Sequence, residues 1–497
     1  MKKIISSIIY LMILSGAVFG QTGITVGTGA EVTVGQGATI NVSNGNFSVL
    51  VEENARGSFL EIGDLTFSGS GEAMMQQYLT KDQWHAVTSP MSNEDIGVYE
   101  WMYLYSWDEP SKDWTNLILP ETLPLNPGEG YYVWNTLDTN TIFPNTPYYT
   151  VTHNGIFNKN DIVTSPTFTS GGQGSQNKGW NLLGNPFPCA IDWNGHADWN
   201  LVNVESTVYF GDYTVSGNYP EWNWETQTGT LGKTDGYITA TQGFWVKTSK
   251  KNPTPSLTIP VSQRLHSNTT PFYKSESSIN EILRLRVDGN GYFDETIIGF
   301  IPDATYDYDH YDAYKMIGRD EAPQLYSIVG DEMMTMNFLP EVSDDMIVPL
   351  GFEVGAPGIY TIDATQIEGF DNALFIYIED LKENTVQDLK SNPQYVFTAT
   401  TFDETERFLI HFKNTVFAID GNELSRGIKI TAKGNQLIVN VSDTYEGDLQ
   451  MHNVIGQEIG NYHLTSGNHE IPVSVNGIVL VTWLSREGVI SKKLFFN

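Results

Sequence analysis

GAEVTVGQ (Gly29–Gln36) and GATINVSN (Gly37–Asn44) stand back to back as an eight-residue near-repeat. Apolar residues recur at every second position, so Val32 and Val34, then Ile40 and Val42, share one face of an extended chain. Each run is opened by glycine, the residue that turns the backbone most cheaply. Period 2 with glycine punctuation predicts short stacked strands, a β-roll or β-helix stub over residues 21–75. Two clear copies are too few to stand alone, so the stub is expected to pack on the block C-terminal to it.

The same pattern continues outward. Eleven of the twelve tryptophans fall between Trp84 and Trp245, and the last is Trp483. Residues 76–260 repeat internally: QWHAVTSPM and GWNLLGNPF share a W-x5-P spacing at Trp84 to Pro90 and Trp180 to Pro186. Each is followed by an aromatic hairpin (YLYSWDEPSKDW, then VYFGDYTVSGNYPEWNW) and a glycine-aromatic strand (GEGYYVW, then TQGFWVK). Three matched features in one order predict a duplicated β unit. Residues 261–280 are polar and weakly patterned, which predicts a linker. Residues 281–415 carry ILRLRVDG, ETIIGFI, GIYTIDA, ALFIYIED and RFLIHF as candidate strands, and residues 416–497 form a last, smaller β domain. The expectation is an all-β chain of tandem sandwich or jelly-roll-like domains, with the β-roll stub first and an Ig-like domain last.

Residues 1–20 read as a secretory signal: Lys2 and Lys3, an apolar run from Ile4 to Leu14, and small residues at Val18 and Gly20. Cleavage is expected near Gly20, and no later stretch is long and apolar enough to span a bilayer. The single cysteine, Cys189, excludes an intrachain disulfide framework and is expected as a small packed residue. With 27 Lys+Arg against 59 Asp+Glu the net charge is −32. Such a surface repels nucleic acid and anionic lipid, because both need clustered cations to displace counterions.

The last domain resembles the C-terminal sorting domain of type IX secretion cargo. The matching residues are LQMHNVIGQEI (Leu449 to Ile459), with Asn453, Gly456 and Gln457 in its turn, GIVLVTWLSREG from Gly477, and the terminal ISKKLFFN with Lys492 and Lys493. The family's opening P-N-P motif is absent before Ile428, and Ile478–Val479–Leu480 stands where a tyrosine-bearing strand is usual. YLTKDQWHAVTSP, GWNLLGNPFP and GNGYFDETIIGF look like segments of large surface proteins of the same secretion class. The resemblance implies the type IX machinery as a partner through residues 416–497. It also implies a secreted or outer-surface location, and no particular activity.

Two constellations are candidate sites. Tyr103, Tyr105 and Trp107 alternate along one strand, as do Trp222 and Trp224 along another, flanked by Glu221 and Glu225. Coplanar rings beside polar groups suit sugars, whose apolar faces stack on aromatics; the alternative is sandwich core. Asp288, Asn290 and Asp294, with Asp303, Asp307 and Asp309, cluster oxygen ligands in glycine-bearing turns. Calcium takes six to eight such ligands, although the spacing is not that of an EF-hand; the alternative is solvated acidic turns. No metalloprotease, nucleophile-elbow or Walker motif occurs. His85 is replaced by Asn181 in the second W-x5-P copy, which favours a structural hydrogen bond.

The expectation is therefore an adhesin-like binding protein without enzymatic activity, meeting a polysaccharide or a host or envelope surface. The alternatives are a secreted glycan-active enzyme and a self-associating envelope subunit.

Overall fold

The near-repeat that opens the chain folds as successive faces of a parallel β-helix. The structure, a computed structural model, describes residues 22–496 apart from 101, 118–121, 136–147, 170–177, 195–197, 212–215, 251–252, 267–278, 280, 344–345, 414–426, 443–444, 454–456, 476 and 486–487. Residues 1–20, expected to be a signal, Gly456, most of the 261–280 stretch expected as a linker, and the Lys493 side chain lie outside the described residues.

Thr22–Val26, Asn44–Val49 and Ala73–Thr80 stack in parallel on one face, with Ile24 beside Phe47 and Phe47 beside Ala73. Glu31–Val34 pairs with Ser58–Glu61 on the second face, and Thr39–Val42 with Asp64–Phe67 on the third. Gly29 and Gly37 sit at the corners with φ of +75°, where a β-carbon would be strained. Val26, Val34, Val42, Phe47 and Phe59 fill the interior, and the Phe47 and Phe59 rings lie 4.4 Å apart. Each such side chain contributes roughly 1.5–3 kcal/mol on burial. The helix does not stand alone: Phe59 N donates to Pro188 O at 3.0 Å, and Ala73–Thr80 pairs antiparallel with Tyr148–Gly155.

The two tryptophan-rich copies have one strand order. In the first, Trp84–Val87 pairs with Tyr131–Trp134, which pairs with the hairpin Tyr103–Asp108 and Asp113–Asn116. In the second, Trp180–Gly184 pairs with Gly243–Thr248, which pairs with Val204–Phe210 and then Glu221–Asn223. The next sheet runs Met346–Glu353, Gln324–Val329, Glu332–Leu339, Tyr292–Phe300, Glu281–Gly289, Gly358–Glu368 and Gln394–Ala399.

The chain divides into two compact units. The first comprises Met1–Val342, Val348–Asp371 and Lys390–Leu409, so the compositional boundaries at residues 75, 260 and 280 fall inside it. Backbone and side-chain hydrogen bonds join its blocks, among them Asn218 Nδ2 to Phe293 O at 2.9 Å and Arg284 Nη1 to Gly229 O at 2.9 Å. The second comprises Ser343–Ile347, Asn372–Leu389 and Ile410–Asn497. Within it, Phe375–Asp380 and Thr385–Asp388 form a hairpin. The strands from Ile428 onward form a three-stranded and a four-stranded sheet. Leu437, Val439, Leu449, Met451, Val479, Val481 and Trp483 make its core, drawn from both sheets as a sandwich requires. No helix among the described residues is long and apolar enough to cross a membrane.

Candidate functional site: an aromatic sheet face

The four-stranded sheet of the first tryptophan-rich copy is sided. Residues directly opposite in an antiparallel ladder point to the same face. One face carries Val87, Leu104, Tyr131 and Val133, all buried in a shared core. On the other, Trp84 lies opposite Trp134, Trp134 opposite Tyr103, Tyr132 opposite Tyr105 and Trp107 opposite Trp114. That is an almost wholly aromatic surface made by four strands.

Its two ends differ. Toward Trp107 the face is closed: the Trp107 indole N–H donates to Trp180 O at 2.8 Å, and the ring meets Trp114 at 5.1 Å and Trp245 at 5.5 Å. Trp107 is thereby committed to the packing between the two copies. Toward Tyr103 the face is open, although Trp84 still packs on the cluster that includes Tyr132, Trp180 and Trp245. Tyr103 keeps 54% of its surface exposed, and Trp84, Tyr105 and Trp134 are half-buried. Trp84 packs edge-on against Trp134 at 5.3 Å and Tyr105 at 5.5 Å. These contacts hold the rings at fixed angles, which lowers the entropy cost of binding to them. Asn116, exposed and opposite Tyr105, adds an amide to the same face.

The other aromatic candidates lie inside. Trp222 and Trp224 do share a face, but it is the inner one: they are 5% and 7% exposed. Trp222 Nε1 donates to Asn194 Oδ1 at 2.8 Å, and Trp224 stacks 5.0 Å from the buried Trp193. They are core of the second copy and not a platform. Alternation shows that two residues share a face; it does not show which face meets water. Trp84 and Trp134 carry the opposite lesson. They stand fifty residues apart and only ladder pairing unites them.

The candidate calcium ligands do not converge. Asp288 forms an ion pair with Arg286 at 2.7 Å. Asn290, at φ +53° before Gly291 at +78°, makes the tight turn of a hairpin, and its Nδ2 donates to Glu321 O. Asp294 is fully buried against Lys315. Asp303 and Asp307 are exposed, while Asp309 accepts Thr305 N at 2.7 Å and Tyr311 N at 2.9 Å within its own loop. Among the described residues no group of three His, Cys, Asp or Glu is placed to hold an ion. The acidic residues are instead satisfied singly, Asp288 by Arg286, Asp294 by Lys315 and Asp309 by backbone N–H groups of its own loop.

In the last domain, Asn453 and Gln457 close their turn: Gln457 N donates to Asn453 Oδ1 at 3.0 Å, and Asn453 N to Gln457 O at 3.0 Å. Gly477, at φ +108°, starts the strand that pairs with Gly488–Phe496. Lys492 is exposed, with Nζ 3.4 Å from Ile430 O, and Lys493 lies opposite Leu480 in the ladder.

A depression of about 420 Å³ lies elsewhere in the first unit, lined by Asn93, Glu94, Asp95, Val98, Thr150, Thr152 and Asn154. Its carboxylates are already engaged. Glu94 Oε2 accepts from Ser89 Oγ at 2.5 Å and faces His153 Nδ1 at 2.6 Å, while Asp95 Oδ1 accepts from Gly97 N at 2.7 Å. His85 likewise sits 2.9 Å from the Thr80 carbonyl through Nε2.

A family model described as "Domain of unknown function (DUF8693)" matches residues 4–412. No curated protein matches the chain. Among solved structures, a chain titled "Biofilm associated protein - BSP domain" aligns at 10% identity over 85% of this chain and 92% of that one, with a TM-score of 0.13.

Proposed function

We propose that this chain, which belongs to the DUF8693 family, works outside the cell as an adhesin-like protein that holds glycans on the open end of its aromatic sheet face. The observation that carries the reading is the set of Trp84, Trp134, Tyr103 and Tyr105 on one sheet face, with Tyr103 left in solvent. Rings held edge to face on one sheet surface offer apolar walls for the faces of pyranoses, and Asn116 supplies a hydrogen-bonding edge for hydroxyls. The net charge of −32 argues for a neutral polysaccharide over an acidic one.

The test is retention on insoluble cellulose, chitin and xylan. The full chain is expected to bind one of them, with Tyr103→Ala and Trp134→Ala each weakening retention roughly three- to tenfold, the worth of one aromatic contact. Undiminished retention in both variants, or no retention of the parent chain on any of the three, refutes the reading.

Export through type IX secretion belongs to the same proposal, with residues 416–497 as the part the machinery recognises. It is supported by the motif residues around Asn453 and Gln457, and by strands that build a core of their own beyond residue 412, where the family match ends. A chain lacking 416–497 is expected to accumulate folded in the periplasm. If it reaches the medium or the cell surface as fully as the parent, the recognition element lies elsewhere.

A further inference from the structure

Two opposite charges are sealed inside the first unit. Lys315 Nζ lies 2.8 Å from Oδ1 and 2.7 Å from Oδ2 of Asp294, and each side chain is 1% exposed. Asp294 comes from Tyr292–Phe300, and Lys315 follows the short strand Ala313–Tyr314. Both strands flank Glu332–Leu339, which fixes the meeting: Ile297 and Ala313 both register with Met336, and Lys315 N donates to Met333 O at 2.8 Å.

A third acid completes the group. Glu221, fully buried on the strand Glu221–Asn223, interacts electrostatically with both Lys315 and Asp294. Neither of its oxygens makes a hydrogen bond of normal geometry, although the Thr335 hydroxyl stands beside it. A buried ion pair is at best a weak stabiliser. Adding an unsatisfied carboxyl to the same enclosure makes the arrangement costly as mere packing.

We propose that Lys315 and Asp294 are joined by an isopeptide bond formed inside the folded chain, with Glu221 relaying the protons. The enclosed ammonium passes a proton to the carboxylate, leaving a neutral amine beside a carboxylic acid. The Nζ lone pair attacks Asp294 Cγ, and a Cγ–Oδ bond breaks. Glu221 gives its proton to the departing hydroxyl and takes one from Nζ, so it ends as it began. One amide forms, one water leaves, and no oxidant or cofactor is consumed. Burial pushes the carboxyls of Glu221 and Asp294 above their ordinary range, which favours the acid forms that this path uses. Fixed contact at 2.7–2.8 Å supplies the high effective concentration that amide formation needs.

The link bridges a sequence separation of 21 residues and closes a covalent loop around the acidic turn from Asp303 to Asp312. In a chain with one cysteine it does what no intrachain disulfide can.

Trypsin reads the result directly. Without the bond, cleavage after Arg286 and Lys315 releases Val287–Lys315 at full mass. With it, Lys315 is no longer a substrate, and the full chain, denatured and digested, should yield Val287–Arg319 lighter by one water. No backbone fragment should appear between Asp294 and Lys315 in its spectrum. Recovery of Val287–Lys315 at full mass overturns the proposal. Asp294→Asn is a second probe that keeps the shape of the site: it should give a linked peptide of the same mass, now by loss of ammonia. Glu221→Gln should fold, as judged by its tryptophan emission, yet leave Lys315 cleavable. A Glu221→Gln chain linked as fully as the parent removes Glu221 from the mechanism.

Discussion

Tyr209 donates its hydroxyl to the backbone carbonyl of Tyr314 at 2.9 Å, tying a strand of the second tryptophan-rich copy to the acidic block. The donor end of this bond is fully buried and the acceptor end partly so, with Lys247 lying 4.6 Å over the Tyr314 ring. Asn223 reinforces the seam nearby. Its Nδ2 reaches the carbonyls of His310, Tyr311 and Asp312 at 3.1–3.3 Å, while its Oδ1 accepts from Glu225 N at 2.8 Å. Removing the hydroxyl in Tyr209→Phe leaves a carbonyl without its donor, which costs about 1–3 kcal/mol. Asn223→Ala strands more groups and should cost more. Urea unfolding checks both, and the two losses should fall short of additive because they open one seam. A Tyr209→Phe midpoint equal to that of the parent shows that the bond contributes nothing.

Trp222 and Trp224 should behave as core, unlike Tyr103. The Trp222 indole is anchored on Asn194, and Trp224 packs on Trp193, itself 4.6 Å from Trp199. Truncating either to alanine opens a large cavity and should cost about 3–5 kcal/mol. Tyr103→Ala removes a half-solvated ring and should shift stability by less than about 1 kcal/mol. Chemical denaturation of the three variants settles the ranking; a neutral Trp222→Ala sinks the assignment.

Local patterns were legible, and long-range pairings were not. The alternation in Gly29–Asn44 announces short strands, because side-chain period and glycine turns are properties of a few consecutive residues. That Val34 stands beside Glu61, closing a helical coil, depends on chain that returns 27 positions later. The Trp84 and Trp180 motifs announce equivalent strands, but the open aromatic face needs Trp134 to arrive from across the sheet. Asp294 sits in the strand YFDETIIGF, just ahead of the apolar run from Ile297, and an acid at an inward position requires a buried partner. Neither the inward position, with Glu295 and Thr296 next to it, nor the partner Lys315 could be read from the strand itself.

Cys189 is 1% exposed, and burial pushes its thiol up to about 12. The thiolate is the reactive form, so both access and ionisation protect it. A maleimide applied near neutral pH should leave the native chain unlabelled and label it fully in denaturant. Rapid native labelling contradicts the packed position, since it requires that region to open.

Asp312 gives the fold a pH dependence. Burial, aided by the nearby charges of Asp309 and Glu205, pushes its carboxyl up to about 7 from an ordinary 3.8, against the pull of hydrogen bonds from Phe338 N and Asp309 N. The folded chain therefore holds a proton that the unfolded chain has released between those values. A group raised in this way stabilises fully below its unfolded value and loses that contribution as pH rises through its folded value. Unfolding midpoints should fall between pH 5 and 7, by on the order of 1.4 kcal/mol per pH unit from this residue, and level off above. Glu205 and Glu221, also raised by burial, act in the same direction, so the parent's slope is a sum. Asp312→Asn isolates one contribution. Its baseline stability drops because an amide cannot accept both backbone donors, at 2.7 Å from Phe338 and 2.9 Å from Asp309. Its slope between pH 5 and 7 should flatten relative to the parent, and parallel curves for the two chains show that the proton sits on another group.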